Sequence, residues 1–119
     1  MDKVQSKSYS LRTDTGHWLG QIVLTSDGLF ASTTDYGNLS YAWRSTGESD
    51  FRKFMAEISV DYFGTKLYTG ISYMAYGKKF EKFCERFAEK ILPPLQEILK
   101  QELSDGIGWT TPDQPFLIN

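Results

Sequence analysis

The chain is short of the residues that most often carry chemistry. One cysteine, Cys84, and one histidine, His17, stand among 119 residues. A lone cysteine excludes an intramolecular disulfide framework. One cysteine with one histidine also falls short of the nitrogen and sulfur ligands that a zinc centre needs. No apolar run approaches the ~20 residues of a membrane-spanning helix. The first residues, Met1 to Ser6, carry no signal-peptide apolar core. A cytoplasmic protein without a membrane partner is therefore expected. Positive charge is not in excess: 13 Lys and Arg face 15 Asp and Glu, for a net charge of −2. No overall field attracts nucleic acid or anionic lipid, and −2 is too small for an acidic mimic of DNA. The glycines are scattered, with no Gly-rich run between a strand and a helix, so no phosphate loop and no cofactor is expected.

Aromatic residues, at 15%, are plentiful. They either fill the core or mark a binding face, because rings carry large area at small entropic cost. The chain length fits one domain, residues 1–119, large enough to fold without metal or crosslinks.

Residues 1–44 read as a sheet. Tyr9 and Leu11 alternate in a first strand over Ser8 to Arg12. Asp14-Thr15-Gly16 is a turn. Over His17 to Thr25, Trp18, Gly20, Ile22 and Leu24 share one face, and the partly apolar other face suggests a central strand covered on both sides. Ser26-Asp27-Gly28 marks a hairpin, since Asp-Gly accepts positive φ at little cost. Leu29 to Thr34 follows, then a second turn at Asp35-Tyr36-Gly37-Asn38. Leu39, Tyr41 and Trp43 then alternate with Ser40, Ala42 and Arg44. Residues 49–104 read as helices. Ser49 or Asp50 is an N-cap, and Phe51, Phe54, Met55, Ile58 and Tyr62 keep helical spacing. A break is expected near 59–64, because Ser59-Val60 weakens the pattern and Gly64 costs about 1 kcal/mol inside a helix. Asp61 could then open a short helix carrying Phe63 and Leu67. Residues 68–77 read as a connector that becomes helical. From Lys78 to Leu92, Phe80, Phe83, Cys84, Phe87, Ala88, Ile91 and Leu92 make an apolar stripe. Pro93-Pro94 is expected to end that helix and start another, which Gly106 stops. The expected fold is α+β: an antiparallel meander of three or four strands, then three helices on one face, a two-layer sandwich. Residues 107–119 form a C-terminal tail too apolar to hang free, which folds back on the core or forms a homodimer contact.

Each candidate for chemistry has a plainer structural explanation. Cys84 lies in the apolar stripe, where a thiol acts as a small buried hydrophobe, so a nucleophilic pair with His17 is disfavoured. Asp14, Asp27 and Asp35 fall in turns, where aspartate caps the backbone. Lys78, Lys82, Arg86 and Lys90 recur every four residues beside Glu81, Glu85 and Glu89. A basic ridge for an anionic partner competes there with a solvated face laced by pairs such as Lys82–Glu85 and Arg86–Glu89, and the second reading is favoured. The densest set of recognition side chains is Tyr36, Tyr41, Trp43 and Arg44. Alternation with Leu39 favours a core role for Tyr41 and Trp43. It leaves Tyr36 and Asn38, at the turn, and Arg44, on the opposite face, as the exposed partner-binding candidates.

The arrangement Asp35-Tyr36-Gly37-Asn38, Tyr41-Ala42-Trp43, Asp50-Phe51-Arg52-Lys53-Phe54 and Asp61-Tyr62-Phe63 with Lys66-Leu67 resembles small uncharacterised proteins of tailed bacteriophages and prophages. The resemblance covers about residues 18–67. It implies expression in a bacterial host cytoplasm and action by binding and disabling a host protein, plausibly a defence system such as a CRISPR effector. It brings no catalytic residue. A non-enzymatic protein–protein binder is thus expected. A single-stranded nucleic-acid binder is the alternative, disfavoured by the few cations in the strands. A small hydrolase built on His17 and an aspartate comes third.

Overall fold

The computed structural model of the chain describes residues 3–71 and 77–109. Four strands, β1 (Ser6–Arg12), β2 (Trp18–Thr25), β3 (Leu29–Thr34) and β4 (Ser40–Ala42), precede three helices. These are α1 (Phe51–Glu57), α2 (Val60–Ile71) and α3 (Lys78–Ser104). The strands form one antiparallel sheet in the order β1-β2-β3-β4. The expected α+β meander with a helical layer is the observed fold.

The hairpin turns form where glycine permits them. Gly28 has φ of +101°, and a Cβ there would lie 2.0 Å from the Trp43 carbonyl oxygen. That carbonyl packs close because the Trp43 N–H donates to the Gly28 oxygen at 2.8 Å. One sheet face buries Tyr9, Leu11, Ile22, Leu24 and Phe30 beneath the helices. The other carries Ser8, Ser10, Gln21, Thr33 and Ser40, all exposed, with Val23 and Ala31 half-buried. Strand β2 is therefore central but covered on one face only; its neighbours within the sheet give Val23 what shelter it has. Trp18 also departs from expectation. The register shifts at Leu11/Arg12, so that Arg12 pairs with Trp18 and Leu19 is skipped. Beyond this bulge Trp18 leaves the buried row and is 39% exposed.

Asp50 caps α1, its carboxylate accepting from the Arg52 N–H at 2.9 Å. The break falls at Ile58-Ser59: Ile58 is extended, and the Ser59 hydroxyl accepts from the Tyr62 N–H at 3.0 Å, capping α2. Gly64 does not break the chain. It sits inside α2 where α3 crosses, and a Cβ there would lie 3.4 Å from the Ala88 Cβ. The lost helix propensity is repaid by close approach of the two backbones.

Pro93 and Pro94 do not end α3, which runs 27 residues through both. Each proline removes a hydrogen bond to the carbonyl four residues back, on Glu89 and Lys90. Pro93 is exposed and Pro94 half-buried, and Glu89 and Lys90, which carry the freed oxygens, are both exposed, so solvent can reach them. Ile91, Leu92, Leu95 and Leu99 are completely buried, and that burial outweighs the local penalty, at roughly 1.5–3 kcal/mol per side chain. The Gln96 amide also ties α3 to α1, donating to the carbonyls of Met55 and Ile58 at 2.9 and 2.8 Å. Gly106, at φ +72°, ends the helix as expected. The Gly106 N–H reaches the Leu103 carbonyl and the Ile107 N–H the Glu102 carbonyl, both at 3.1 Å, which is the Schellman pattern. Among the described residues no helix is long and apolar enough to cross a membrane.

Candidate functional site

The turn between β3 and β4 is built twice over. Within the turn, the Thr34 N–H donates to the Asn38 side-chain oxygen at 3.2 Å, and the Thr34 hydroxyl donates to the Gly37 carbonyl at 2.8 Å. The same hydroxyl oxygen accepts from the Tyr36 N–H at 2.9 Å. From outside, α3 supports it. Gly37, at φ +127°, lies directly on the Phe83 ring, where an added Cβ would come within 2.3 Å of Cζ. The Arg86 guanidinium stands 5.8 Å from the centre of the Tyr36 ring. Phe83 stacks on Phe80 at 6.0 Å, and Phe80 packs on Tyr68 at 5.8 Å.

The expected partner-binding residues do not converge. Asn38 is exposed but spends its side-chain oxygen on the turn, and Tyr36 is half-buried against the core. Arg44 lies at the opposite end of the β3–β4 pair, exposed, with a long contact of 3.5 Å to Asp27. Two residues join Tyr36 instead: Arg86, read from sequence as part of a solvated face, and Phe83, read as core. Phe83 is 39% exposed, because the turn covers only one side of its ring. Trp43 is core, as the alternation indicates, packed among Phe51, Phe54 and Phe63 with its indole N–H on the Tyr62 hydroxyl at 3.2 Å. Tyr41 is half-buried, its ring tilted against that of Trp43 with centroids 4.5 Å apart and its Cδ1–Cε1 edge against Gly70.

Helix α3 sorts its charges by side. Glu81, Glu85 and Glu89 turn toward α2 and line a cleft of about 520 Å³ with Asp61, Gly64 and Tyr68. The expected pairs Lys82–Glu85 and Arg86–Glu89 do not form; among the described residues Lys82, Arg86 and Lys90 have no ion-pair partner. The basic stripe thus stands beside Phe83 without a direct ion pair among the described residues.

A polar corner that sequence reading missed lies across the molecule. Arg52 is only 3% exposed. Its guanidinium donates to both Asp50 carboxylate oxygens at 3.1 and 2.8 Å, to Glu102 at 2.7 Å and to the Ile107 carbonyl at 2.7 Å. Glu102 also accepts from the Tyr9 hydroxyl at 2.7 Å and pairs with Lys7 at 3.1 Å. Hydrogen bonds from Arg52 hold the Asp50 carboxyl below its ordinary pKa against the opposing effect of burial. Burial pushes Glu102 up, but bonds from Arg52, Tyr9 and Lys7 together outweigh it and hold its pKa down. Burial, and then Glu102, keep Tyr9 protonated. The start of the C-terminal tail folds back here: Lys7 donates to the Gly108 carbonyl at 2.9 Å, and Arg52 lies 5.1 Å from the Trp109 ring centre. Pro112, Pro115 and the apolar tail residues 116–118 fall outside the described residues. The network is balanced, two cations against two carboxylates, and among the described residues no buried side-chain polar atom is left unpaired, which marks it as structural.

His17 is exposed in the β1–β2 connection, with its ring on Thr15 at 3.1 Å. Cys84 is completely buried against α2, and burial pushes its thiol up to about 11. Nothing joins the two. Asp27 accepts from the Thr25 hydroxyl, and it is that hydroxyl, accepting from the Leu29 N–H at 3.0 Å, that caps the turn backbone in place of the expected aspartate. Among the described residues no group of three or more His, Cys, Asp and Glu is placed to hold a metal ion.

Compared with known proteins, residues 1–82 match the model of a family described as a phage family. No curated protein and no solved structure matches the chain.

Proposed function

The chain belongs to this phage family, and we propose that it acts by binding a host protein through the docked β3–β4 turn and the adjoining face of α3, without catalysing a reaction. One observation carries this reading: Tyr36, Phe83 and Arg86 form a continuous, partly exposed aromatic and guanidinium surface on a turn held rigid from within and from below. Aromatic residues and arginine are the side chains most often found to dominate interface energies. A turn fixed in advance loses little freedom on binding, so more of the contact energy remains for affinity. The mechanism is occlusion of a functional surface on the host protein, and a defence effector such as a CRISPR component is the target class it would suit.

Affinity capture from host lysate followed by mass spectrometry tests the proposal. The expected result is a host protein recovered by the native chain and by Arg44→Ala, whose site lies at the far end of the strand pair, but lost with Tyr36→Ala/Phe83→Ala. Equal recovery by all three proteins, or turnover of a substrate by the purified chain, would overturn it.

A further inference from the structure

The basic stripe of α3 says what kind of partner this surface fits. Lys82, Arg86 and Lys90 follow one another every helical turn and span about 12 Å at 1.5 Å per residue. All three are exposed. Their expected glutamate partners have turned into the cleft beside α2, and none of the three has an ion pair among the described residues. The Arg86 guanidinium lies instead over the ring of Tyr36, 5.8 Å from its centre. Phe83 lies in the same exposed strip, propped from beneath by the glycine of the turn. The surface therefore combines cations free of direct ion pairs with one partly exposed apolar ring set against the turn.

We propose that this surface recognises an acidic protein segment carrying an apolar anchor, the carboxylates lying along Lys82, Arg86 and Lys90 and the anchor against Phe83 and Tyr36. The proposal rests on the binding reading above and gives its partner a chemistry. A short acidic segment fits better than a nucleic acid. The cationic stripe, Lys78 included, spans only about 18 Å at 1.5 Å per residue, while Glu81, Glu85 and Glu89 on the adjacent side of α3 and Asp61 on α2 line a carboxylate cleft. A phosphate backbone continuing past the stripe would meet that carboxylate cleft on a chain of net charge −2. A few carboxylates need no further cations, and one projecting ring suits one anchor better than a run of stacked bases.

The test uses the full chain with three probes: a peptide of glutamates around one phenylalanine, the same peptide without phenylalanine, and oligothymidylate of equal charge. Backbone amide shifts report the site and the affinity. The phenylalanine peptide is expected to shift the amides of Tyr36, Phe83 and Arg86. Its affinity should fall at least tenfold in Lys82→Glu/Lys90→Glu, and should weaken with added salt. Both substitutions are at exposed positions, and an unchanged melting curve verifies the fold. Tighter binding of oligothymidylate than of either peptide overturns the proposal in favour of nucleic acid. Absence of peptide shifts at these amides also overturns it. If the peptides fail while lysate capture still depends on Tyr36 and Phe83, the acidic chemistry is refuted and the binding function stands. If the peptides bind as described while capture is indifferent to those residues, the binding function is refuted and the anionic specificity stands.

Discussion

Arg52→Ala removes the cation at the centre of the buried polar corner. The side chain is 3% exposed and bridges Asp50 on the α1 cap, Glu102 on α3 and the carbonyl of Ile107 beyond it. Truncation leaves two carboxylates facing each other with their shared cation gone; Glu102, with a side chain 13% exposed, keeps Lys7 and Tyr9, while Asp50, at 28%, keeps the backbone of α1 and the tail. Breaking a buried pair by removing one partner costs about 3–5 kcal/mol. Partial exposure of Asp50 puts this case near the lower end, about 3 kcal/mol, or roughly 12 °C in Tm at about 4 °C per kcal/mol for a domain of this size. Urea unfolding at several pH values is the assay. Both carboxyls have pKa values lowered from 3.8 and 4.5 in the folded protein. Their contribution is therefore complete above those values and is lost as pH falls below them. In Arg52→Ala the same carboxyls are buried without the guanidinium, so protonation relieves the variant. The stability gap between native chain and variant should be widest near neutral pH and close as pH falls through about 4. A gap below 1 kcal/mol at pH 7, the size of a surface ion pair, or a gap that widens in acid, would refute the reasoning.

Gly37→Ala should cost roughly 1–3 kcal/mol, because the position has φ of +127° and abuts Phe83; thermal melting measures the loss, and the Tyr36 amide should move with it. Pro93→Ala/Pro94→Ala should raise stability by about 1 kcal/mol or more, since helical hydrogen bonds return to a helix that already runs through both positions; a fall in Tm would mean that the prolines limit the unfolded chain more than they strain the helix. Cys84 should resist a thiol reagent at pH 8 in the native protein and react promptly in denaturant, because it is fully buried and its pKa is pushed up to about 11.

The strands were legible because their signals are local. Asp27-Gly28 and Tyr36-Gly37 announce turns, and Leu39 and Trp43 alternate onto the buried face that the structure gives them. Pro93-Pro94 and Gly64 misled for the opposite reason. Their local penalties are real, but contacts with distant residues decide the outcome: Leu95 and Leu99 in the core for the prolines, Ala88 across the helix crossing for the glycine. The candidate surface was half legible. Tyr36 was singled out from its turn, yet the Phe83 and Arg86 that lie against the turn reach it across nearly fifty residues, and one sequence carries no signal of such a pairing. Phe83 hid at the margin of an apolar stripe wider than the face it had to bury. The Arg52 corner was least legible, joining residues 7, 9, 50, 52 and 102; its one local trace was Arg52 in the first turn of a helix whose other inward positions are apolar.

The central claim is that the docked turn and the facing side of α3 are the working surface. Hydrogen–deuterium exchange of the protein, alone and bound to its captured host partner, tests it most directly. Protection is expected to be confined to residues 35–38 and to α3 around Phe83 and Arg86, with the open sheet face and Arg44 unchanged. Protection centred on Ser8, Gln21 and Thr33, or on Arg44, with the turn unaffected, would contradict it.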